Sequence, residues 1–229
     1  EVSVDQLVAD IKPEAIIHTI GSNRAADLNQ VIVEGTRHVA QAAAKNDVRL
    51  IHISTDALFN GEDAPYNEDA LPTPLHEYGR AKARAERIVA THDNHVIVRT
   101  SLIYGLQVMD HSTAWAVRAL DSGQPVTLFT NQRRNPVWVV TLCRAILELA
   151  SHDFKGIINV AGRQEMTRAD FGLRMLNWWQ IENRETLSLG PGDGDHWPMD
   201  CTLDLRLAAK ILSTPLLGVD EVLDNNKIG

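Results

Sequence analysis

Leu50-Ile51-His52-Ile53-Ser54-Thr55-Asp56, followed further along by Tyr78-Gly79-Arg80-Ala81-Lys82, is the pair of stretches on which the fold of this chain turns. The apolar run 50–53 stops abruptly at two hydroxyls and a carboxylate. A buried parallel strand does this on reaching the mouth of an open α/β sheet, where its C-terminal edge faces a ligand crevice. Turn residues follow at Asn60-Gly61, Asp63-Ala64-Pro65 and Leu71-Pro72-Thr73-Pro74. A helical pattern then begins near His76 and runs through Ile88 and Val89. On that helix Tyr78 and Lys82 stand four apart and therefore share a face.

This pairing has a chemical use. A free tyrosine titrates near ~10, and an ammonium one turn away favours the phenolate and draws the value down. The pair makes a tunable general acid or base. A hydroxyl from Ser54 or Thr55, brought to the same point, could hold a carbonyl oxygen while Tyr78 protonates it and hydride arrives from the other side. The spacing by itself is also that of an ordinary solvated pair on a helix surface.

Working outward, Val4, Leu7, Val8 and Ile11 follow a helical period that Pro13 closes, and Ala15 to Ile20 ahead of Gly21 reads as a buried strand. A helix is expected from about Val31 to Lys45, and another strand at His95–Arg99. Helix and strand alternating in short succession predict right-handed crossovers and a parallel sheet. In the second half the patterns predict helices around Trp115–Leu120 and Thr141–Ala150 and strands at Pro125–Phe129 and Gly156–Gly162. A Thr167/Asp170 capping box opens a helix running to Trp179, and Leu203–Leu212 is periodic. The glycine cluster Gly190-Pro191-Gly192-Asp193-Gly194 reads as a surface turn following no strand.

The 229 residues are 44% apolar and 23% charged with a net charge of -8, an ordinary globular composition. No basic cluster is available for a nucleic acid or an anionic membrane surface. Cys143 and Cys201 sit in no metal or redox spacing, and His92 and His95 read as a solvated loop pair, so no metal is expected. With no membrane-length apolar run and no secretory signal, the expected location is cytoplasmic.

Ile53-Ser54-Thr55-Asp56, Leu58-Phe59-Asn60-Gly61, Tyr78-Gly79-Arg80-Ala81-Lys82 with Glu86, and Arg99-Thr100-Ser101-Leu102-Ile103-Tyr104-Gly105 resemble in order and spacing the extended short-chain dehydrogenase/reductases. Among them the dTDP-4-dehydrorhamnose reductases are the most similar. The resemblance implies a Rossmann-like, doubly wound parallel sheet whose first strands and glycine-rich turn are missing from this chain, with a small interleaved C-terminal substrate lobe. Residues 1–110 would be a partial NAD(P)-binding core and 111–229 the lobe, and the Ile16 strand is expected to present a raw apolar edge.

By the same resemblance Thr55, Tyr78 and Lys82 are catalytic. Gly21, Ser22, Ser54, Thr100, Tyr78 and Lys82 bind NADP or NAD. Asp56, Arg133 and Arg134 fall at positions that meet a nucleotide-sugar; two adjacent arginines can take its diphosphate by bidentate bonds, and they read equally as an exposed basic turn, as Asp56 does as a cap of the turn that follows it. Pro198-Met199-Asp200-Cys201 sits where a loop closes over it. The implied partner is that small molecule, with no nucleic acid and no membrane, and a homodimer stays open.

The chain departs from the pattern at Ala57 and Leu102, where aromatics that contact the sugar are usual. It departs again at Ile32-Val33-Glu34-Gly35-Thr36, where an asparagine that supports the proton relay is replaced by an isoleucine. The implied activity is reduction of a 4-keto sugar. An epimerase or dehydratase route and a non-catalytic binding or regulatory module of the same fold remain alternatives.

Overall fold

The computed structural model describes residues 3–21, 25–193 and 197–227. Helix α1 (Val4–Ile11), capped by the Ser3 hydroxyl accepting from the Gln6 amide, leads into strand β1 (Ala15–His18). The next helix starts earlier than its periodicity suggests. A π-helical stretch, Asn29–Glu34, runs directly into α2 (Gly35–Lys45), and its wider turn buries Ile32 and Val33 together. Then come β2 (Arg49–Ile53), α3 (Glu77–Val89) and β3 (His95–Arg99). Further on lie α5 (Val139–Ser151) and β8 (Gly156–Asn159), separated from β3 by β4 (Ile103–Tyr104), α4 (His111–Asp121), β5 (Val126–Phe129), β6 (Arg133–Arg134) and β7 (Val137–Trp138). The chain closes with β9 (Met166–Thr167), α6 (Arg168–Trp178), β10 (Leu187–Gly190), α7 (Arg206–Ile211) and α8 (Val219–Asn226).

The central sheet has the order β1-β2-β3-β8, and all three pairings are parallel. Alternation along the strands divides the core into two layers. Leu50 and Ile97 face Ala40, Ala43 and Val89 of α2 and α3. Ile51, Val96, Val98 and Ile158 face Leu142, Ile146 and Leu149 of α5. The second half of the chain thus supplies both β8 and α5 to the core. It also builds a separate layer in which α4 and α6 pack on the β5–β10 pair through Leu120, Val126 and Leu176. Strand β1 has one strand neighbour among the described residues, and Ile17 is 40% exposed.

Two expectations need correction. The glycine cluster does follow a strand: Leu187–Gly190 pairs with β5, a pairing its half-exposed, non-alternating side chains did not announce. His92 is buried rather than solvated, its Nε2–H donating to the Val48 carbonyl at 2.8 Å and tying the end of α3 to the start of β2. The Thr167 cap forms, with Oγ1 accepting from the Asp170 amide at 3.0 Å.

Candidate active site

Strand β2 ends at Ile53, and two residues on Thr55 has an extended backbone and a hydroxyl oxygen that accepts from the Ala57 amide at 3.1 Å, starting a single 3-10 turn over Asp56–Leu58. The first turn of α3 lies directly on that turn. A Cβ at Gly79 would collide with the Ala57 carbonyl oxygen and come within 2.8 Å of Pro74 Cβ. Only glycine allows this approach. The approach sets the half-buried Tyr78 ring beside Thr55.

Burial raises the Tyr78 pKa above its ordinary value, the Asp56 charge raises it further, and the Thr55 side chain opposes both. The lowering expected from Lys82 is not what the structure shows. The Lys82 ammonium donates instead to the Ile53 carbonyl at 2.5 Å and lies 3.3 Å from His52 Nε2. Lys82 is only 2% exposed, and burial brings its pKa down to about 8 against the opposing charge of Glu86. Glu86 is itself held by Arg99 in a buried pair at 2.9 Å, and Arg99 also donates to the carbonyls of Glu68 and Ala70. Glu86 and Arg99 therefore tie α3, β3 and the 68–70 loop together.

Gly21 belongs to this place. Its φ of +136° is a conformation side chains rarely adopt, and a Cβ there would stand 3.6 Å from Lys82 Nζ and from Ile32 Cγ1. Ser22 lies outside the described residues. The hydroxyls of Ser54 and Thr100, at the ends of β2 and β3, are buried and find no hydrogen-bond partner among the described residues.

Two residues that sequence reasoning passed over sit beneath Lys82. His18 and His52 are paired in the β1–β2 register, and their Nδ1 atoms are 3.0 Å apart. Burial, then the Lys82 charge, takes His18 down to about 4; the same causes, with His18 added, put His52 well below its ordinary value. The available signal was an ionisable ring inside each of two apolar runs, 15–20 and 50–53.

On the other side of Tyr78 the polar groups diverge in what they do. Asp56 accepts from Ser101 Oγ at 2.6 Å and pairs with Arg134 at 3.5 Å. Arg134 also donates to the carbonyls of Arg133, Pro198 and Met199, the last two fastening the 198–201 loop. Arg133 is exposed and paired with Glu165 and Asp200. The two arginines expected on a diphosphate are thus brought to the loop but already engaged.

A different arginine opens onto free space. Arg168 lines a cavity of about 560 Å³ with Asp110, Trp115, Phe129 and Phe171, and no hydrogen bond or ion pair engages its guanidinium among the described residues. Burial lowers its pKa, Arg134 lowers it further, and Asp56 and Asp110 raise it. Its place as the first residue of α6 gave no sign of this in the sequence.

The family described as RmlD substrate binding domain matches residues 1–191. A methionine adenosyltransferase 2 subunit beta from Xenopus laevis is 29% identical over 200 residues, 79% of this chain and 59% of that protein. A dTDP-4-keto-6-deoxy-D-glucose reductase from Streptomyces niveus is 30% identical over 178 residues, 73% of this chain and 62% of that protein. The chain thus spans about three fifths of these curated relatives. Among solved structures, a dTDP-4-dehydrorhamnose reductase from Bacillus anthracis in complex with NADP superposes with a TM-score of 0.84 at 22% identity, over 97% of this chain and 83% of that one.

Proposed function

Because this chain belongs to the RmlD substrate binding domain family, we propose that its protein is an NAD(P)-dependent oxidoreductase that reduces the keto group, a 4-keto group in the simplest case, of a nucleotide-linked sugar. The observation that carries this reading is Tyr78 held beside Thr55 at the mouth of the sheet, with the Asp56 charge acting both on Tyr78 and on the cavity-lining Arg168. Thr55 donates a hydrogen bond to the substrate carbonyl, and Tyr78 gives its proton to that oxygen as the carbon is reduced. A phenol whose pKa lies above its ordinary value stays protonated at neutral pH, as the acid in this direction must.

The residues present fit the nicotinamide end of a dinucleotide. Gly21 leaves backbone without a side chain beside Lys82, and the unpartnered Ser54 and Thr100 hydroxyls supply polar groups that a nucleotide can satisfy. When bound, NAD(P)H supplies the hydride. Arg168 pairs with the diphosphate, the role that Arg133 and Arg134 are too engaged to fill, and Phe129 and Trp115 give the cavity the flat apolar walls a base requires. The likeness to a keto-sugar nucleotide reductase supports the same reading.

The test is NADPH oxidation by the purified protein with dTDP-4-keto-6-deoxy sugars, wild type against Tyr78→Phe. Turnover that collapses in the variant upholds the reading, and absence of turnover by a protein that binds both ligands overturns it. A non-catalytic binding module is the second reading. Ile32 buried where a relay asparagine is usual, and the similarity to a methionine adenosyltransferase 2 subunit beta, favour it.

A further inference from the structure

We propose that Gly172 is a specificity-determining residue: by seating Leu128 against bare helix backbone it sets the depth of the Arg168 cavity at the end that takes the nucleotide base. Arg168, Gly172 and Leu176 follow one another at intervals of four on α6, so they share a face, and all three line the cavity. That face offers a ligand a cation, then no side chain at all, then the buried Leu176, which closes the far end. A diphosphate held by Arg168 with its sugar directed to Tyr78 sends its nucleoside the other way, along the helix and over Gly172.

The helix itself does not ask for glycine there. Position 172 lies in the interior of α6 (Arg168–Trp178), where alanine is the better helix former. The reason is a close approach from β5. A Cβ at 172 would stand 2.9 Å from both methyl carbons of Leu128 and 3.4 Å from its Cγ. The two methyls flank that point, so relieving one presses the other, and the side chain has to swing as a whole.

The swing has one direction open. Leu128 packs against a core cluster that includes Ala116, Leu120, Val126 and Leu176, which blocks it on that side. The other side is the cavity, which Leu128 lines beside Phe129, one of the flat walls offered to a base. One added methyl group on α6 is thereby turned into a larger intrusion where the base would lie.

That the occupant is a nucleotide rests on the reading above, whereas the seating of Leu128 on Gly172 does not. Calorimetric titration of the full-length protein with dTDP, and displacement of dTDP by GDP with its larger base, read the two separately. Gly172→Ala, its fold verified by the amide spectrum, should weaken dTDP binding by about 10-fold or more. Adding Leu128→Ala to it should recover most of that loss, because the displaced side chain is gone. Leu128→Ala alone should deepen the cavity and raise the affinity for GDP relative to dTDP by about 10-fold. Where NADPH-dependent turnover of a dTDP-linked keto sugar exists, Gly172→Ala should raise KM by the same factor and leave kcat unchanged.

A Gly172→Ala protein that binds dTDP as wild type does, a double variant no better than the single one, or a GDP to dTDP ratio unmoved by Leu128→Ala overturns the proposal. If Gly172→Ala does not fold, the ratio measured on Leu128→Ala decides. Wild type that binds dTDP without turning over any keto sugar sinks the reductase reading and leaves Gly172 to be judged by the variants. Wild type that binds neither nucleotide overturns both.

Discussion

The two ends of the site are built on opposite plans. At the inner end Lys82 and His52 are in contact, and Glu86 and Arg99 are paired, before any ligand arrives. At the outer end Arg168 borders a cavity with its guanidinium unengaged among the described residues, although Arg134 nearby is held by Asp56 and by loop carbonyls. Groups that handle a proton must be held in place beforehand, because any reorganisation during the step raises its barrier. A group that recognises an anion can wait for it, since the ligand brings the missing charge. On the reductase reading proposed above, the contrast separates residues that position chemistry from residues that select the substrate.

Substitutions at the two ends should therefore fail differently. The largest effect is expected at the junction, where Tyr78→Phe removes the proton donor and should lower kcat by about 10²- to 10⁴-fold with KM little changed. Steady-state NADPH oxidation measures this, and a KM effect alone would move Tyr78 to the recognition end.

At the inner end Glu86→Gln leaves Arg99 buried without its charge partner, and a loss of roughly 3–5 kcal/mol is expected in urea denaturation. A loss below about 1 kcal/mol would show that the Glu68 and Ala70 carbonyls suffice for Arg99.

Lys82 adds a pH dependence. Its pKa is about 8 folded against 10.5 in the unfolded chain, so below pH 8 the folded state carries a buried ammonium that the unfolded chain hydrates. The unfolded chain binds more protons between these values, so wild-type stability rises with pH across that window. Lys82→Met should be more stable than wild type by up to about 3 kcal/mol at pH 7, with the gap closing towards pH 10.5. A gap that stays constant with pH would mean that burial of the charge is not its cause.

The smallest effect belongs to the outer end. Arg168→Ala should raise KM for the nucleotide-sugar by about 10- to 100-fold, the worth of a charged hydrogen bond of roughly 1.5–3 kcal/mol, and leave kcat and stability nearly unchanged. Arg133→Ala, an exposed pair, should change neither by more than a small factor. The reverse ranking would return the diphosphate to the Arg133 turn.

Much of the architecture was legible in the sequence by periodicity. The apolar strands around Ile16, Ile51, Ile97 and Ile158 and the helices between them follow local patterns that survive folding unchanged, and the parallel order follows from their alternation. Tyr78 and Lys82 on one helix face, and Thr55 at a strand mouth, were legible for the same reason: each is set by spacing within a single element. The strand Leu187–Gly190 was not, because its side chains are half-exposed on both faces and show no alternation.

Only the tertiary structure decided what lies next to what. Chain spacing does not fix the direction of a long flexible side chain, so the turn of Lys82 away from Tyr78 and onto His52 depended on burial and on the Ile53 carbonyl. The pairing of His18 with His52 needed the β1–β2 register. The engagement of Arg134 needed the 198–201 loop to arrive and accept its hydrogen bonds. Local pattern sets which residue types share a face, whereas pKa, partner and access are set by neighbours distant in sequence, through desolvation and hydrogen bonds that exist only once the layers have packed.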